Sequence, residues 1–345
     1  MKSKELIISE INKDGKINVS QFIQLSQFGN DGYYIKNPPI GSKNDFITAP
    51  EISQMFGEIL ASFFINYWQE KINTDFNLVE LGPGKGTLIK DILRVASKNE
   101  NFFNATYLTL IEKNEYLINL QKNNMNFDRV NWSKEFDIQK KNEPLIIFSN
   151  EFFDCFPVRQ FYKKTKWYEK FIQYNNSEKI FSFISKEVNN KEILQVLKKF
   201  NHVRVAEISE SRIKYFDLMC KFIKKNKGVF FTIDYGYKNP TNNLTLQTIY
   251  NHKKTHLFEN IGNQDITAYV NFGELINIAN KNNLNIDLFC TQKDFLISYG
   301  IKERKNRLQI NKNKELIEKL DLEYERLVSK SQMGEIFKVL VISCS

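Results

Sequence analysis

A strand, a glycine-rich loop and a helix follow one another in the chain and constrain its fold more than any other feature. Residues 76–81 form a short, mostly apolar run, as in a buried parallel strand. Gly82, Gly84 and Gly86 come next at alternate positions, and residues 87–96 carry apolar side chains at helical spacing. This order predicts a ligand site at the carboxyl end of the first strand of an open α/β sheet.

The spacing of the glycines indicates which ligand the loop binds. A dinucleotide loop has the pattern G-x-G-x-x-G, and a phosphate loop has Gly-Lys followed directly by Ser or Thr, whereas here Lys85 is followed by Gly86. An acid on the strand, Glu80, followed by Gly82, Gly84 and Gly86 resembles motif I of the class I S-adenosylmethionine (SAM) methyltransferases. The resemblance implies that these residues bind the methionine part of SAM, with Glu80 near its ammonium group or the loop amides. A tight turn between a strand and a helix is the alternative interpretation.

A second acidic residue lies in register with the glycines. In nucleotide-binding α/β folds, an acid about 20 residues or somewhat more after the glycines binds the ribose. Residues 107–111 are strand-forming and end at Glu112. A carboxylate at this place can accept hydrogen bonds from both ribose hydroxyls, so we predict that Glu112 binds the ribose of SAM. An ordinary acid at a strand end is the alternative.

The remaining elements predict an α/β fold of the class I methyltransferase (Rossmann-like) type with a seven-stranded sheet. Its strands are expected near residues 76–81, 107–112, 129–132, 145–148, 229–233, 286–291 and 337–342. We predict an N-terminal helical cap at 1–75 and a methyltransferase domain at 76–345, with a β insertion at about 159–205. Residues 238–264 show no clear periodicity, and residues 303–330 are predicted to form one long charged helix.

Composition limits the partners of the chain. The 345 residues carry a net charge of +9, but the lysines are scattered without a block of five or six, so we expect no nucleic-acid partner. The four cysteines are far apart, which favours a reducing compartment. No apolar run reaches a transmembrane length, so we expect no membrane insertion. We therefore expect a soluble protein of the bacterial cytoplasm.

Several motifs together resemble one family of class I methyltransferases, the MidA proteins, which are related to the mitochondrial complex I assembly factor that methylates an arginine. The stretches are DFITAPEISQMFGE at 45–58, ELGPGKGTL at 80–88, NEFFDCFPVR at 150–159, DYGY at 234–237, DITAYVNF at 265–272 and MGEIFK at 333–338. The chain departs from the expected pattern at Lys85, where we expect Arg, and at Asn271, where we expect Asp. The resemblance implies SAM-dependent protein-arginine methylation, with a complex I subunit as a candidate substrate.

The residues after the fourth strand are the candidates for catalysis. A guanidinium nitrogen is a poor nucleophile, because its lone pair is delocalised. Carboxylates on the other nitrogens can localise the positive charge away from the attacking atom, and they pair with guanidinium bidentately. We therefore predict that Glu151 and Asp154 are catalytic and that Asn150 positions the substrate. Acids that favour a helix N-terminus, with Asn150 as a cap, are the alternative.

Four further residues are predicted to contact the substrate. Glu51 and Gln54 begin a helix, predicted from Thr48 to Tyr67, that is expected to lie over the cofactor; a plain packing helix is the alternative. Asp234 ends the fifth strand, where it either binds substrate or caps a turn, and His252 follows in a polar stretch. His252 and His256 are four residues apart, but neither helical periodicity nor an acid partner supports a zinc site, so we predict no metal.

Other functions stay open at this point. A DNA amino-methyltransferase would have D-P-P-Y or N-P-P-F after the fourth strand, and the sequence there is N-E-F-F. A non-catalytic assembly factor that binds SAM and a methyltransferase that acts on a small molecule both agree with the sequence. A homodimer is a possible assembly, but the sequence does not define the oligomeric state.

Overall fold

The structure is a computed structural model that describes residues 2–36, 48–136 and 143–344. Asp45, Phe46 and Ile47 of the first family motif lie outside these ranges. The strands are β1 (Ile17–Asn18), β2 (Phe76–Leu81), β3 (Thr106–Ile111), β4 (Val130–Ser133), β5 (Leu145–Asn150), β6 (Arg159–Lys163), β7 (Trp167–Asn175), β8 (Ile180–Glu187), β9 (Val205–Ile208), β10 (Val229–Tyr237), β11 (Gln247–Tyr250), β12 (Lys253–Lys254), β13 (Asp265–Thr267), β14 (Val270–Asn271), β15 (Asn285–Thr291) and β16 (Phe337–Ser343).

The helices surround these strands. They are α1 (Ser3–Asp14), α2 (Val19–Phe28), α3 (Tyr33–Lys36), α4 (Ala49–Ile52), α5 (Gln54–Tyr67), α6 (Thr87–Ala96), α7 (Glu100–Ala105), α8 (Glu115–Asn124), α9 (Lys191–Leu197), α10 (Glu210–Asn226), α11 (Phe272–Lys281), α12 (Gln292–Ser298), α13 (Ile301–Gln309), α14 (Lys314–Val328) and α15 (Met333–Ile336). A π-helical turn at Trp68–Ile72 continues α5, and a 3₁₀ turn at Lys198–Phe200 continues α9. In the described parts of the chain, no helix is both long and apolar enough to span a membrane.

The main sheet has the strand order β15-β16-β10-β5-β2-β3-β4. Strands β10, β5, β2, β3 and β4 are parallel, and β16 runs antiparallel to both β10 and β15. The strand order reverses between β2 and β5, which is where ligands bind in open α/β sheets. The predicted fold class is confirmed. The short strand β14 pairs with the end of β10 as an eighth strand that the sequence did not indicate.

Helices cover both faces of the main sheet. Neighbouring residues of β10 point to opposite faces, since side chains alternate along a strand. Phe230 lies 5.8 Å from Phe216 of α10 between ring centroids, and Phe231 lies 5.2 Å from Phe63 of α5. Helices α10 and α11 therefore cover one face, and α5, α6 and the C-terminal helices cover the other.

The segment before the glycine loop differs from the single helix predicted from Thr48 to Tyr67. Ser53 has an extended backbone with φ −154°, and its side chain accepts a hydrogen bond from the Met55 amide at 3.3 Å. Ser53 thus ends α4 and caps α5, because a serine hydroxyl can accept a hydrogen bond from a free amide in the first turn of a helix. The break separates α4, which carries Glu51, from α5, which packs on the sheet.

The β insertion forms a second sheet, in which β7 is flanked by β1, β6 and β8, and β6 also pairs with β9. Helices α1 and α2 pack against this sheet, and their apolar contacts include Ile7, Phe22 and Ile172. The proposed domain boundary at residue 75 stays a prediction.

Outside the site, one sequence prediction was wrong and one stretch without a predicted element contains strands. The single helix at 303–330 is two helices, α13 and α14, because Asn313 caps α14 by accepting a hydrogen bond from the Leu316 amide at 2.9 Å. The stretch 238–264, which showed no periodicity, contains the hairpin β11–β12, and β11 also pairs with β13. Strands this short take their stability from their pairing partners, so their own sequence carries little signal.

Candidate active site

The carboxyl ends of four neighbouring strands meet at one edge of the main sheet. Leu81 lies opposite both Ile111 of β3 and Ser149 of β5, and Asn150 lies opposite Ile233 of β10. The residues that come next along each strand therefore lie side by side: Gly82, Glu112, Glu151 and Asp234. Since neighbouring strands are about 4.8 Å apart, the backbones of Glu112 and Glu151 are separated by roughly 10 Å.

The backbone of the glycine loop favours glycine at three positions. Gly82, Gly84 and Gly86 all have positive φ, at 66°, 56° and 80°. A Cβ atom on Gly82 would lie 2.9 Å from the ring of Phe152, so this position has no room for a side chain. The Gly84 carbonyl accepts a hydrogen bond from Gln121 Nε2 at 2.6 Å, which fixes the loop against α8.

The two predicted cofactor acids lie next to this loop. Glu80 is 3 % exposed, and burial raises its pKa to about 8, with the nearby Glu112 carboxylate adding to the rise. Its Oε2 atom is buried and accepts no hydrogen bond from the described residues. Burial raises the pKa of Glu112 to about 7, although the amides of Asn114 and Gly84 donate to its carboxylate. Both carboxyl groups can therefore accept hydrogen bonds from a ligand at this edge of the sheet.

Glu51 contacts the glycine loop, while Gln54 does not. Glu51 accepts a hydrogen bond from the Thr87 hydroxyl, and its Oε2 lies 3.8 Å from Lys85 Nζ. It therefore ties α4 to the start of α6. Gln54 is exposed at the start of α5. Substrate contact by either residue stays a prediction.

Glu151 has the most unusual environment of the predicted catalytic residues. Its φ of 50° is in the left-handed region, where a residue other than glycine is strained, and such strain is concentrated at functional sites. Its carboxylate accepts hydrogen bonds from the Ala49 amide at 3.3 Å and from Asn150 Nδ2 at 3.1 Å. Burial, and then the Asp154 carboxylate, raise its pKa to about 8. The Asn150 Oδ1 atom is buried and accepts no hydrogen bond from the described residues.

Asp154 and Asp234 lie deeper than Glu151. The fully buried Asp234 accepts hydrogen bonds from the amides of Phe153, Asp154 and Tyr235. The Asp154 carboxylate accepts one from the Tyr235 hydroxyl. Burial raises the pKa of both carboxyls. Asp234 therefore holds the loop that follows β5, and direct contact of either residue with a substrate stays a prediction.

Sequence reasoning missed the residues that fix this loop from outside. The buried Arg212 of α10 donates to the carbonyls of Phe153 and Tyr269, at 2.8 and 3.3 Å. Tyr34 donates to Asp265 at 2.6 Å and so connects α3 to β13. Asp265 belongs to a family motif, which was the one available signal; Arg212 lies in a helix rich in charged residues, where its burial leaves no mark in the sequence.

His252 lies apart from these residues. It is exposed, with φ 62°, in the turn between β11 and β12, and no hydrogen bond joins it to the site among the described residues. Within the ranges that the structure covers, no group of three or more His, Cys, Asp or Glu side chains is arranged to hold a metal ion. A substrate contact by His252 stays a prediction.

Comparison with known proteins identifies the class of protein to which this chain belongs. A family model described as "Putative S-adenosyl-L-methionine-dependent methyltransferase" matches residues 59–290, more than half of the chain. The chain therefore belongs to this family of SAM-dependent methyltransferases, in agreement with the MidA motifs. The chain is therefore an enzyme of a class that uses SAM as its cofactor.

Two relatives and one solved structure show which individual proteins this chain is similar to. The mitochondrial protein arginine methyltransferase NDUFAF7 of Danio rerio is 28 % identical over 362 residues, covering 96 % of this chain and 84 % of the relative. The NDUFAF7 homologue of Caenorhabditis elegans is 29 % identical over 371 residues, covering 97 % and 84 %. A Burkholderia thailandensis protein crystallised with S-adenosylhomocysteine has a TM-score of 0.86 at 21 % identity and covers 99 % of this chain and 92 % of its own. The similarity to the Burkholderia thailandensis structure shows that the two chains have a common fold.

The residues at the sheet edge fit SAM. Glu80 offers a buried carboxylate oxygen without a protein donor, which the ammonium group of the methionine part would satisfy. Glu112 offers a carboxylate for the ribose hydroxyls, and positive φ at Gly84 lets the backbone approach a ligand closely.

Replacing Glu112 with Ala is expected to weaken SAM binding by about 1–3 kcal/mol, the usual cost of leaving hydrogen-bonding groups unsatisfied. Calorimetric titration of SAM measures the loss. Glu192→Ala, a change of an exposed carboxylate on α9, is the matched control. Equal affinities of the Glu112 variant and the unaltered protein would remove Glu112 from the ribose site.

SAM affinity is expected to rise at least about tenfold between pH 6 and pH 8, since the carboxyls of Glu80 and Glu112, with pKa values of about 8 and 7, lose their protons over this range. The folded protein binds these protons more tightly than the unfolded chain, so the free energy of unfolding of SAM-free protein falls as pH rises through the same range. The thermal shift caused by SAM should therefore be larger at pH 8 than at pH 6. Glu80→Gln should flatten this pH dependence, and an equally steep profile in that variant would contradict the assignment.

Proposed function

We propose that this methyltransferase methylates arginine side chains of a protein substrate, with Glu151 holding the guanidinium group. The observation that carries the proposal is the combination of low exposure, backbone strain and a carboxyl group without an ion-pair partner at Glu151. No Lys, Arg or His side chain of the described residues forms an ion pair with its carboxylate, and its backbone keeps a left-handed φ of 50°. A cationic substrate would supply the missing partner.

The neighbouring Asn150 supports the same substrate. Its buried Oδ1 atom lacks a donor among the described residues, and a guanidinium group has five N–H donors in a planar fork. Glu151 and Asn150 together offer a carboxylate and an amide oxygen at the end of one strand. This arrangement suits a cation with several donors better than a hydroxyl group, which has one.

The chemistry follows from this placement. When bound, SAM supplies an electrophilic methyl group on its sulfonium. Glu151 pairs with the nitrogens that do not react and so keeps the positive charge away from the attacking nitrogen. After transfer the attacking nitrogen must lose a proton. Burial raises the pKa of Glu151 to about 8 in the free protein, and the bound guanidinium favours its ionised form, so the Glu151 carboxylate can accept this proton near neutral pH. Asp234 and Arg212 hold the loop and thereby the position of Glu151.

The relatives support a protein as the methyl acceptor, since they are named protein arginine methyltransferases and align with nearly the whole chain. A subunit of respiratory complex I, which the MidA resemblance implies, is the specific substrate we propose. A cytoplasmic location and a homodimer are also part of the proposal.

Methylarginine analysis tests this function. Purified protein is incubated with methyl-labelled SAM and a protein extract from cells that lack the gene, and the hydrolysed protein is analysed by mass spectrometry. The expected result is labelled methylarginine that depends on the added protein and disappears with Glu151→Gln. Label on another residue, on a small molecule only, or on nothing would overturn the arginine assignment.

A further inference from the structure

Two short basic segments come together at one end of the β insertion. Residues 163–166 read KKTK and residues 198–204 read KKFNHVR; they contain six Lys or Arg residues and no Asp or Glu. Strands β6 and β9 pair with Tyr162 opposite Val205, and the Lys163 amide donates to the Arg204 carbonyl at 2.7 Å. The fold thus concentrates charge that is scattered along the sequence.

A surface pocket lies between these two segments. Its volume is about 490 Å³, and its lining consists of Lys163, Lys164, Asn201, His202, Val203 and Arg204. In the described parts of the chain no carboxylate forms an ion pair with Lys163, Lys164 or Arg204, whereas Lys166 beside them pairs with Glu187 at 2.6 Å. We call this pocket and its six lining residues the basic pocket.

We propose that the basic pocket binds an acidic segment of the methyl-acceptor protein. This inference rests on the proposed function for the identity of the partner, but the binding of an acidic segment does not depend on it. Ammonium and guanidinium groups form strong, charge-assisted hydrogen bonds with carboxylates, and the Asn201 amide adds a neutral donor. A positive pocket that lacks acids of its own also speeds the encounter with a negative partner.

The aromatic residues of this region argue against a nucleic acid as the ligand. Proteins that bind single strands use free aromatic faces on which bases stack. Here Tyr162 and Tyr168 stack on each other, with centroids 5.6 Å apart and an angle of 16°, and Lys164 Nζ lies 5.7 and 5.6 Å from the two rings. Trp167 is buried and has Lys163 Nζ at 5.7 Å. The pocket therefore offers positive charge without free stacking surfaces.

The basic pocket is within reach of the active site. Strand β6 leads from the loop that carries Glu151 and Asp154 directly to Lys163. The chain from Glu151 to Lys163 spans at most about 43 Å when fully extended, so the pocket lies no farther than this from Glu151. An acidic segment within roughly 13 residues of the target arginine can therefore occupy the pocket while the arginine reaches Glu151. Binding at both places raises the effective concentration of the arginine.

A peptide-binding experiment tests the pocket itself. The probe is a fluorescein-labelled hexaglutamate peptide, and its anisotropy is measured with the full-length protein at low salt. The double variant Lys164→Glu, Arg204→Glu should weaken binding by at least about tenfold, because two attractions become repulsions. The matched control, Lys4→Glu with Lys312→Glu, reverses two exposed lysines elsewhere and should bind as the unaltered protein does. Both variants should keep normal SAM affinity, which shows that they are folded.

The outcomes are distinct. Equal affinity of the pocket variant and the control, or equal binding of a labelled hexaglutamine peptide, would overturn the proposal, and tighter binding of labelled hexathymidylate would assign the pocket to nucleic acid. In the methyl-labelling assay, free hexaglutamate should reduce transfer by the unaltered protein, and the pocket variant should transfer less and respond less to the peptide. If no methylarginine forms at all, the proposed function fails while the peptide titration still decides the pocket.

Discussion

Glu151→Gln is expected to reduce methyl transfer to arginine by a factor of about 100 or more while SAM affinity stays unchanged. The substitution keeps the shape of the side chain but removes the charge that pairs with the guanidinium group. Loss of one preorganised electrostatic partner costs on this scale. SAM binding should persist because the predicted cofactor contacts lie elsewhere: Glu80 is on β2, and Glu112 directly follows β3.

A control variant distinguishes loss of the Glu151 carboxylate from a general disturbance of the folded protein. Glu274→Gln is the matched variant, because burial also raises the pKa of this carboxyl and it lies on α11, outside the site. It should keep full turnover. SAM affinity is measured by calorimetry and turnover by methylarginine mass spectrometry. A Glu151→Gln protein with normal turnover would show that its charge does not act on the substrate. Normal SAM binding by a wild-type protein that produces no methylarginine would instead favour a non-catalytic or small-molecule role.

Gly84→Val is expected to abolish measurable SAM binding while the sheet stays folded. Gly84 has a φ of 56°, and its amide donates to the predicted ribose acid, Glu112. A branched side chain is strained at positive φ and occupies the space where a ligand approaches the backbone. The loss of SAM affinity, measured by calorimetric titration, should therefore be larger than the loss that backbone strain alone would cause.

Gly15→Val provides the comparison for backbone strain. Gly15 has a φ of 73° at the C-cap of α1, and a Cβ atom there meets no heavy atom within 4 Å. Both valine variants should lose about 1–3 kcal/mol of unfolding free energy from positive φ, but only Gly84→Val should lose SAM. Thermal melts by circular dichroism measure the first effect. Unfolding of the Gly84 variant at room temperature would mark this glycine as structural.

Much of the main sheet could be predicted because its signals are local. The strand at 76–81 is mostly apolar, and a glycine-rich loop between such a strand and a helix is typical of a ligand site. The seven predicted strands occur with small shifts of their ends, and the class I methyltransferase fold is confirmed. The C-terminal helix pair and the hairpin β11–β12 were missed, since a single asparagine cap and short pairing strands decide them.

The sequence by itself determined the fold class, the place of the glycine loop and the acids at the strand ends, because regular patterns of apolar residues and glycines reflect the backbone directly. Only the tertiary structure decided how those acids differ. Glu151 and Asp154 are three residues apart, yet Glu151 is strained and forms no ion pair with a described residue, while Asp154 accepts a hydrogen bond from Tyr235. Likewise, no single block of lysines predicts the basic pocket, which forms where β6 pairs with β9. Charge and burial depend on which distant segments meet, and that is settled by packing.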